Sequence, residues 1–145
     1  MVGMRSMSWL VICFLPAVAW GANGCLPTDF QDRRDQSLLI IANDNAGNPL
    51  QYRPRCARVS AGTTILFQAI PNFGMHPLFA GDVVGGTATF DPTSPIGSAT
   101  TGTEHMVVLD EPGEYPYYCD FHFLQGMQGS ILVDLSLFSD GFEDP

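Results

Sequence analysis

The chain contains no lysine, and its six basic residues, all arginine, face 15 aspartates and glutamates. A formal charge of −9 leaves no basic footprint for a phosphate backbone, whose binding depends on counterion release by clustered cations. The same deficit argues against docking on an anionic membrane surface. Charge of either sign is sparse, at 14% of residues, whereas 46% are hydrophobic, so a sizeable core is available. Histidine is scarcer still, with 3 copies, and there are only 4 cysteines. That is too few for a disulfide-dense mini-protein and enough for one small metal site. The 15 glycines and 11 prolines disfavour a helix bundle. There is no internal repeat, and at 145 residues the chain reads as one domain.

Residues 1–22, MVGMRSMSWLVICFLPAVAWGA, carry the marks of a secretory signal peptide. Arg5 supplies the positive start. Trp9 to Ala19 is an apolar run broken by Pro16 and too short to span a bilayer stably. Ala17-Val18-Ala19 is the expected cleavage site, and cleavage after Ala22 is the second choice. Its removal implies a periplasmic or secreted protein, with no membrane insertion afterwards, in an oxidising compartment. Residues 23–36 then form an N-terminal extension, residues 37–135 the folded domain and residues 136–145 an acidic tail.

The domain reads as a series of short strands separated by turn residues. Ser37 to Asn43 is an apolar run closed by Asn43-Asp44-Asn45-Ala46-Gly47-Asn48-Pro49. Ala57 to Val59 is a short extended piece, and Thr63 to Ile70 is rich in β-branched and aromatic types. Gly81 to Thr103 is predicted as a long irregular connection holding one or two strands, such as Thr87 to Phe90. Glu104 to Leu109, Glu114 to Cys119 and Gly129 to Leu135 complete the set. Seven or so such strands point to an all-β sandwich.

One cluster carries the chemistry. Tyr117-Tyr118-Cys119-Asp120-Phe121-His122-Phe123-Leu124-Gln125-Gly126-Met127 places Cys, His and Met at C-x2-H-x4-M. A thiolate, an imidazole and a thioether from one loop form a soft ligand set. A second imidazole would complete the His₂Cys arrangement with a weak axial Met that holds a single blue copper ion. Only His76 and His105 remain to supply it. His76 follows the strand ending at Ile70, in a loop whose Pro and Gly can bring it back over the end of the sandwich. His105 lies 14 residues before Cys119, at the far end of its strand, and is assigned to structure.

The stretch Val107 to Cys119, with its Gly113-Glu114-Tyr115-Pro116-Tyr117-Tyr118-Cys119 ending, resembles the plastocyanin/azurin family of cupredoxins. So does its continuation through His122, Gly126, Met127, Gly129, Ile131 and Val133, and the similarity extends over roughly residues 37–135. The resemblance implies a Greek-key β-sandwich with one copper ion, cycling between Cu(I) and Cu(II), at one end. It implies His76, Cys119 and His122 as strong ligands and Met127 as the axial ligand. It also implies single-electron shuttling with no substrate turned over. The thioether of Met75 and the carbonyls of Gly74 and Met75 are rivals for a place near the metal.

Other functions fare worse. A multicopper oxidase needs a further cluster built from many histidines. A nucleophilic Cys119–His122 pair lacks any oxyanion hole in this sequence. A copper carrier passing its metal to another protein is the alternative, although such carriers favour open, Met- and His-rich sites. With Cys13 removed and Cys119 on copper, Cys25 and Cys56 are expected to form a disulfide. A lipidated Cys25 is the competing expectation, though no Leu stands three residues before it. The protein is expected to be a monomer whose redox partner docks near His122. Two or more of Phe73, Met75, Leu78, Phe79, Phe121, Phe123 and Leu124 should form an exposed apolar patch there, with Phe121 itself expected in the core. Pro77 departs from the family pattern, in which Asn commonly follows the first ligand His and its N–H donates to the Cys sulfur. Pro has no N–H to offer.

Overall fold

The computed structural model describes residues 21–44 and 46–135. The signal-peptide reading up to Trp20 and the acidic tail lie outside the described residues. Among the described residues, ten strands run in chain order: β1 Gln31–Asp32, β2 Leu38–Ala42, β3 Cys56–Ser60, β4 Thr63–Gln68, β5 Leu78–Val84, β6 Thr87–Phe90, β7 Ser98–Ala99, β8 Glu104–Leu109, β9 Gly113–Cys119 and β10 Gln128–Asp134. They form a seven-stranded sheet, ordered β1-β3-β10-β9-β5-β6 with β7 paired to β5, and a three-stranded sheet ordered β2-β4-β8. The sheets are mixed, with β3–β10 and β2–β4 parallel. This is the all-β sandwich that the run of short strands predicts.

The two-residue period of each strand places the core. On β4, Thr63, Ile65 and Phe67 are buried and alternate with half-buried Thr64, Leu66 and Gln68. Leu39 and Ile41 on β2 lie opposite Ile65 and Phe67, as do Val107 and His105 on β8. The larger sheet answers with Ala57, Val59, Tyr117, Cys119, Ile131 and Val133, so one apolar cluster fills the sandwich. Tyr117 anchors it, edge-on to Phe67 at 5.1 Å and to Tyr52 at 5.2 Å.

Two strands were not legible in the sequence. Strand β1 has two residues. Strand β5 follows Pro77 and contains Gly81 at φ 134°, and both features argue locally against a strand. Here Gly81 is required by close approach, because a Cβ at this position would lie 1.9 Å from the carbonyl oxygen of Thr89. Cys25 and Cys56 are joined by a disulfide, which fastens the N-terminal segment to β3 and leaves Cys119 the free cysteine among the described residues.

Candidate metal centre

Strand β4 carries the chain toward one end of the sandwich, where the peptide turns at Ile70-Pro71. Asn43 braces this exit: its Oδ1 accepts the N–H of Ile70 at 2.8 Å and its Nδ2 donates to the carbonyls of Ile70 and Pro49. The following loop folds back on itself, with the carbonyl of Asn72 accepting N–H groups from Met75 and His76 at 3.2 and 3.1 Å. Phe73 donates to Gly102 and is fully buried beneath. His76 is thereby turned inward, 7% exposed.

Cys119 is the last residue of β9 and pairs with Leu78, the first residue of β5. Beyond it the chain makes a closed loop. His122 donates to the Cys119 carbonyl at 3.2 Å, a 3₁₀ turn covers Phe123–Gln125, and Gly126 at φ 93° reverses the chain. Met127 then donates to the His122 carbonyl at 3.1 Å, and its own carbonyl accepts the N–H of Cys119 at 2.8 Å. The loop's two ends are thus tied, and the Met127 side chain is fully buried.

These loops bring together three of the four residues singled out from the sequence. The donor atoms of His76, Cys119 and His122 all lie within 4.8 Å of one another. His76 Nδ1 sits 3.1 Å from His122 Nδ1, and Cys119 Sγ is 3.5 Å from that same nitrogen. Both imidazoles therefore present Nδ1 to one point beside the sulfur, a donor set that fits a thiophilic ion accepting two nitrogens. Burial pushes the Cys119 thiol pKa up, opposed by N–H groups of Phe121 and His122 directed at the sulfur. Burial lowers the pKa of His76, and the neighbouring His122 lowers it further. A cation at these atoms would oppose the first effect by favouring the thiolate, and would reinforce the second by disfavouring protonation of His76. Met127 joins through its backbone and its position in the core. His105 stands apart, its Nε2 2.8 Å from the Ile96 carbonyl and its ring tilted on Phe67.

Of the apolar residues flanking the site, Phe73 and Leu78 are wholly buried. Met75, Phe121 and Leu124 are 56, 60 and 71% exposed. The expectation that Phe121 lies in the core fails. It follows Asp120 past the end of β9, where the strand's alternation no longer governs direction, and its ring turns outward beside His122 at 6.4 Å. Sequence reasoning also missed the brace between the loop carrying His76 and the loop carrying Cys119 and His122, in which Asp120 N–H donates to the Pro77 carbonyl at 2.9 Å. A main-chain bond of this kind leaves no residue signature.

Residues 40–134 match the family of copper binding proteins called plastocyanin/azurin. The chain belongs to that family, and copper is the ion its metal centre takes. The chain is 31% identical over 100 residues to the chloroplastic plastocyanin of Hordeum vulgare, covering 68% of this chain and 63% of that protein. It is 30% identical over 83 residues to the plastocyanin of Prochlorothrix hollandica, covering 57% of this chain and 63% of that one. The chain thus spans somewhat under two thirds of the length of these relatives. The copper protein rusticyanin shares the fold, with a TM-score of 0.53 at 16% identity over 78% of this chain and 88% of its own. Among the described residues no helix is long and apolar enough to cross a membrane.

Proposed function

We propose that this protein is a periplasmic or secreted monomeric electron carrier and not an enzyme. In this reading His76, Cys119 and His122 hold one copper ion and Met127 supplies a weak axial thioether. Copper supplies a one-electron couple. The chain's own residues fix the two imidazoles and the sulfur in place before the electron moves, so little has to rearrange. The observation that carries this reading is the convergence of the His76, Cys119 and His122 donors within 4.8 Å at the end of a rigid sandwich. Phe121 and Leu124 stand exposed around His122 and supply an apolar collar for a redox partner, the kind of patch that marks an interaction site.

Delivery of copper to another protein is the second reading, favoured by the exposed Met75 next to His76. Rapid mixing separates the two. A carrier of electrons exchanges them with a small inorganic oxidant and reductant through many cycles, while a chelator in excess removes no copper on that timescale. Loss of the metal to the chelator faster than electron exchange would favour delivery.

A further inference from the structure

We propose, on the ligand assignment above, that Asn23 is a positioning residue for the copper centre. Its side chain clamps together the three strands from whose ends all four ligands hang. Asn23 lies in a 3₁₀ turn at Ala22–Gly24, outside the stretch that matches the family, and is 4% exposed. Its Nδ2 donates to the carbonyl of Tyr117 at 2.9 Å and lies 3.1 Å from the carbonyls of Gly81 and Gly129. Its Oδ1 accepts the N–H of Val83 at 2.7 Å.

The positions of those four partners give the contact its meaning. Tyr117 stands two residues before Cys119 on β9, and Gly129 two residues after Met127 on β10. Gly81 and Val83 belong to β5, which begins two residues after His76. His122 lies inside the loop that β9 and β10 close. Strands β5 and β9 pair directly only from Leu78 to Ala80. Where Gly81 leaves that pairing, the Asn23 amide takes over, bonding both strands and the next one in the sheet.

Residue type and conformation agree. Asn23 has φ 52° and ψ 38°, the left-handed region, and is the sole non-glycine with positive φ among the described residues. Asparagine tolerates this region better than most side chains. An amide also offers the needed mix of donors and one acceptor. A carboxylate would set oxygen against three carbonyl oxygens.

The turn is itself held on both sides. The N–H of Ala22 donates to Glu114 Oε1 on β9, a carboxylate that also accepts Ser130 Oγ on β10. Arg55 donates to the Gly24 carbonyl, and the Cys25–Cys56 disulfide joins the turn to β3. Partners beyond the ligands commonly tune metal affinity by their hold on ligand geometry.

Asn23→Gly keeps the left-handed backbone and removes the amide, and Asn23→Asp keeps the shape and reverses the donors. Asn23→Ser carries the test should either not accumulate. Three properties of the copper-loaded variants are read: the ratio of the two visible charge-transfer bands, the reduction potential, and the rate of copper loss to a chelator. In the apo-protein, hydrogen exchange is followed at the Cys119 amide, which bonds the Met127 carbonyl. The clamp requires altered band ratios, shifted potentials, copper loss faster by about tenfold, and faster exchange at Cys119. Variants that melt earlier yet keep wild-type band ratio, potential, release rate and Cys119 exchange would reduce Asn23 to a staple and overturn the proposal. If the wild type takes up copper without turning blue, the ligand assignment has failed, and the apo-protein exchange alone decides the clamp.

Discussion

The backbone N–H of Asp120 donates to the carbonyl of Pro77 at 2.9 Å, so the loop carrying His76 is tied to the loop carrying Cys119 and His122 although Pro77 has no N–H of its own. A tie between the two loops is thus made through the proline carbonyl. What proline still removes is a donor to the sulfur, which here retains the N–H groups of Phe121 and His122.

Pro77→Asn isolates that missing donor. A restored N–H reaching Cys119 Sγ would draw electron density from the sulfur, weaken the Cu(II)–thiolate bond and raise the reduction potential. Protein-film voltammetry of both proteins reads the change. A fall, or no change, would mean that Pro77 only shapes the loop. With Phe121 exposed, buried Phe73 and Leu78 and half-buried Phe123 are the apolar rings and chains beside the site, and apolar surroundings disfavour the more highly charged Cu(II). Phe73→Ala should accordingly lower both the potential and stability, the latter by about 3–5 kcal/mol.

Thiol counting tests the cross-link. Denatured apo-protein from which the expected signal peptide, and Cys13 with it, has been cleaved should show one free thiol, that of Cys119, before reduction, and three afterwards. Cys25→Ala with Cys56→Ala should lower unfolding free energy by roughly 3–4 kcal/mol through loop-closure entropy. Three free thiols without reductant would leave Cys25 open to another modification.

The collar around His122 makes a separate prediction. Leu124→Asp should slow electron exchange with the physiological redox partner while leaving the visible spectrum unchanged, since Leu124 is 71% exposed. The excess of acids over arginines should steer a basic partner, so the exchange rate should fall as salt rises. A wild-type rate in Leu124→Asp would remove the docking site, and a salt-independent rate would remove the steering.

Copper uptake should be coupled to protons. Burial holds the Cys119 thiol above its ordinary pKa, so near neutrality the apo-protein keeps it protonated. Burial, reinforced by His122, holds His76 below its ordinary pKa, so His76 is already neutral there. Binding to the thiolate expels the thiol proton, and affinity should rise by about tenfold per pH unit between about pH 7 and 8. Calorimetry in buffers of different ionisation enthalpy measures the proton released. A pH-independent affinity would argue that Cys119 is not a ligand.

Strong local patterns were legible in the sequence. Strand β8 falls at Glu104–Leu109 as its alternating apolar positions indicate, and β4 and β9 lie within two residues of their expected ends. The C-x2-H-x4-M spacing brought Cys119 and His122 together because it fits within one tight loop. His76 was found through the turn residues around it. Strand β5 was hidden, since its Gly81 and the preceding Pro77 read as loop signals while the demand they meet is tertiary. Asn23 was hidden for a related reason. An Asn-Gly pair before a cysteine reads as a turn, and nothing local shows that its amide reaches strands 58 to 106 residues away. Phe121 was misplaced because a large aromatic is more often core than surface, and nothing local shows that its ring turns outward beyond the end of β9.

The central claim is that His76, Cys119 and His122 form a mononuclear copper centre with a short thiolate bond. Its most direct measurement is the visible absorption spectrum of the apo-protein titrated with Cu(II). One equivalent should produce an intense blue thiolate-to-copper band that saturates, Met127→Leu should keep the band, and Cys119→Ser should abolish it. A Cys119→Ser protein that still turns blue, or a wild type that binds Cu(II) without colour, would contradict it.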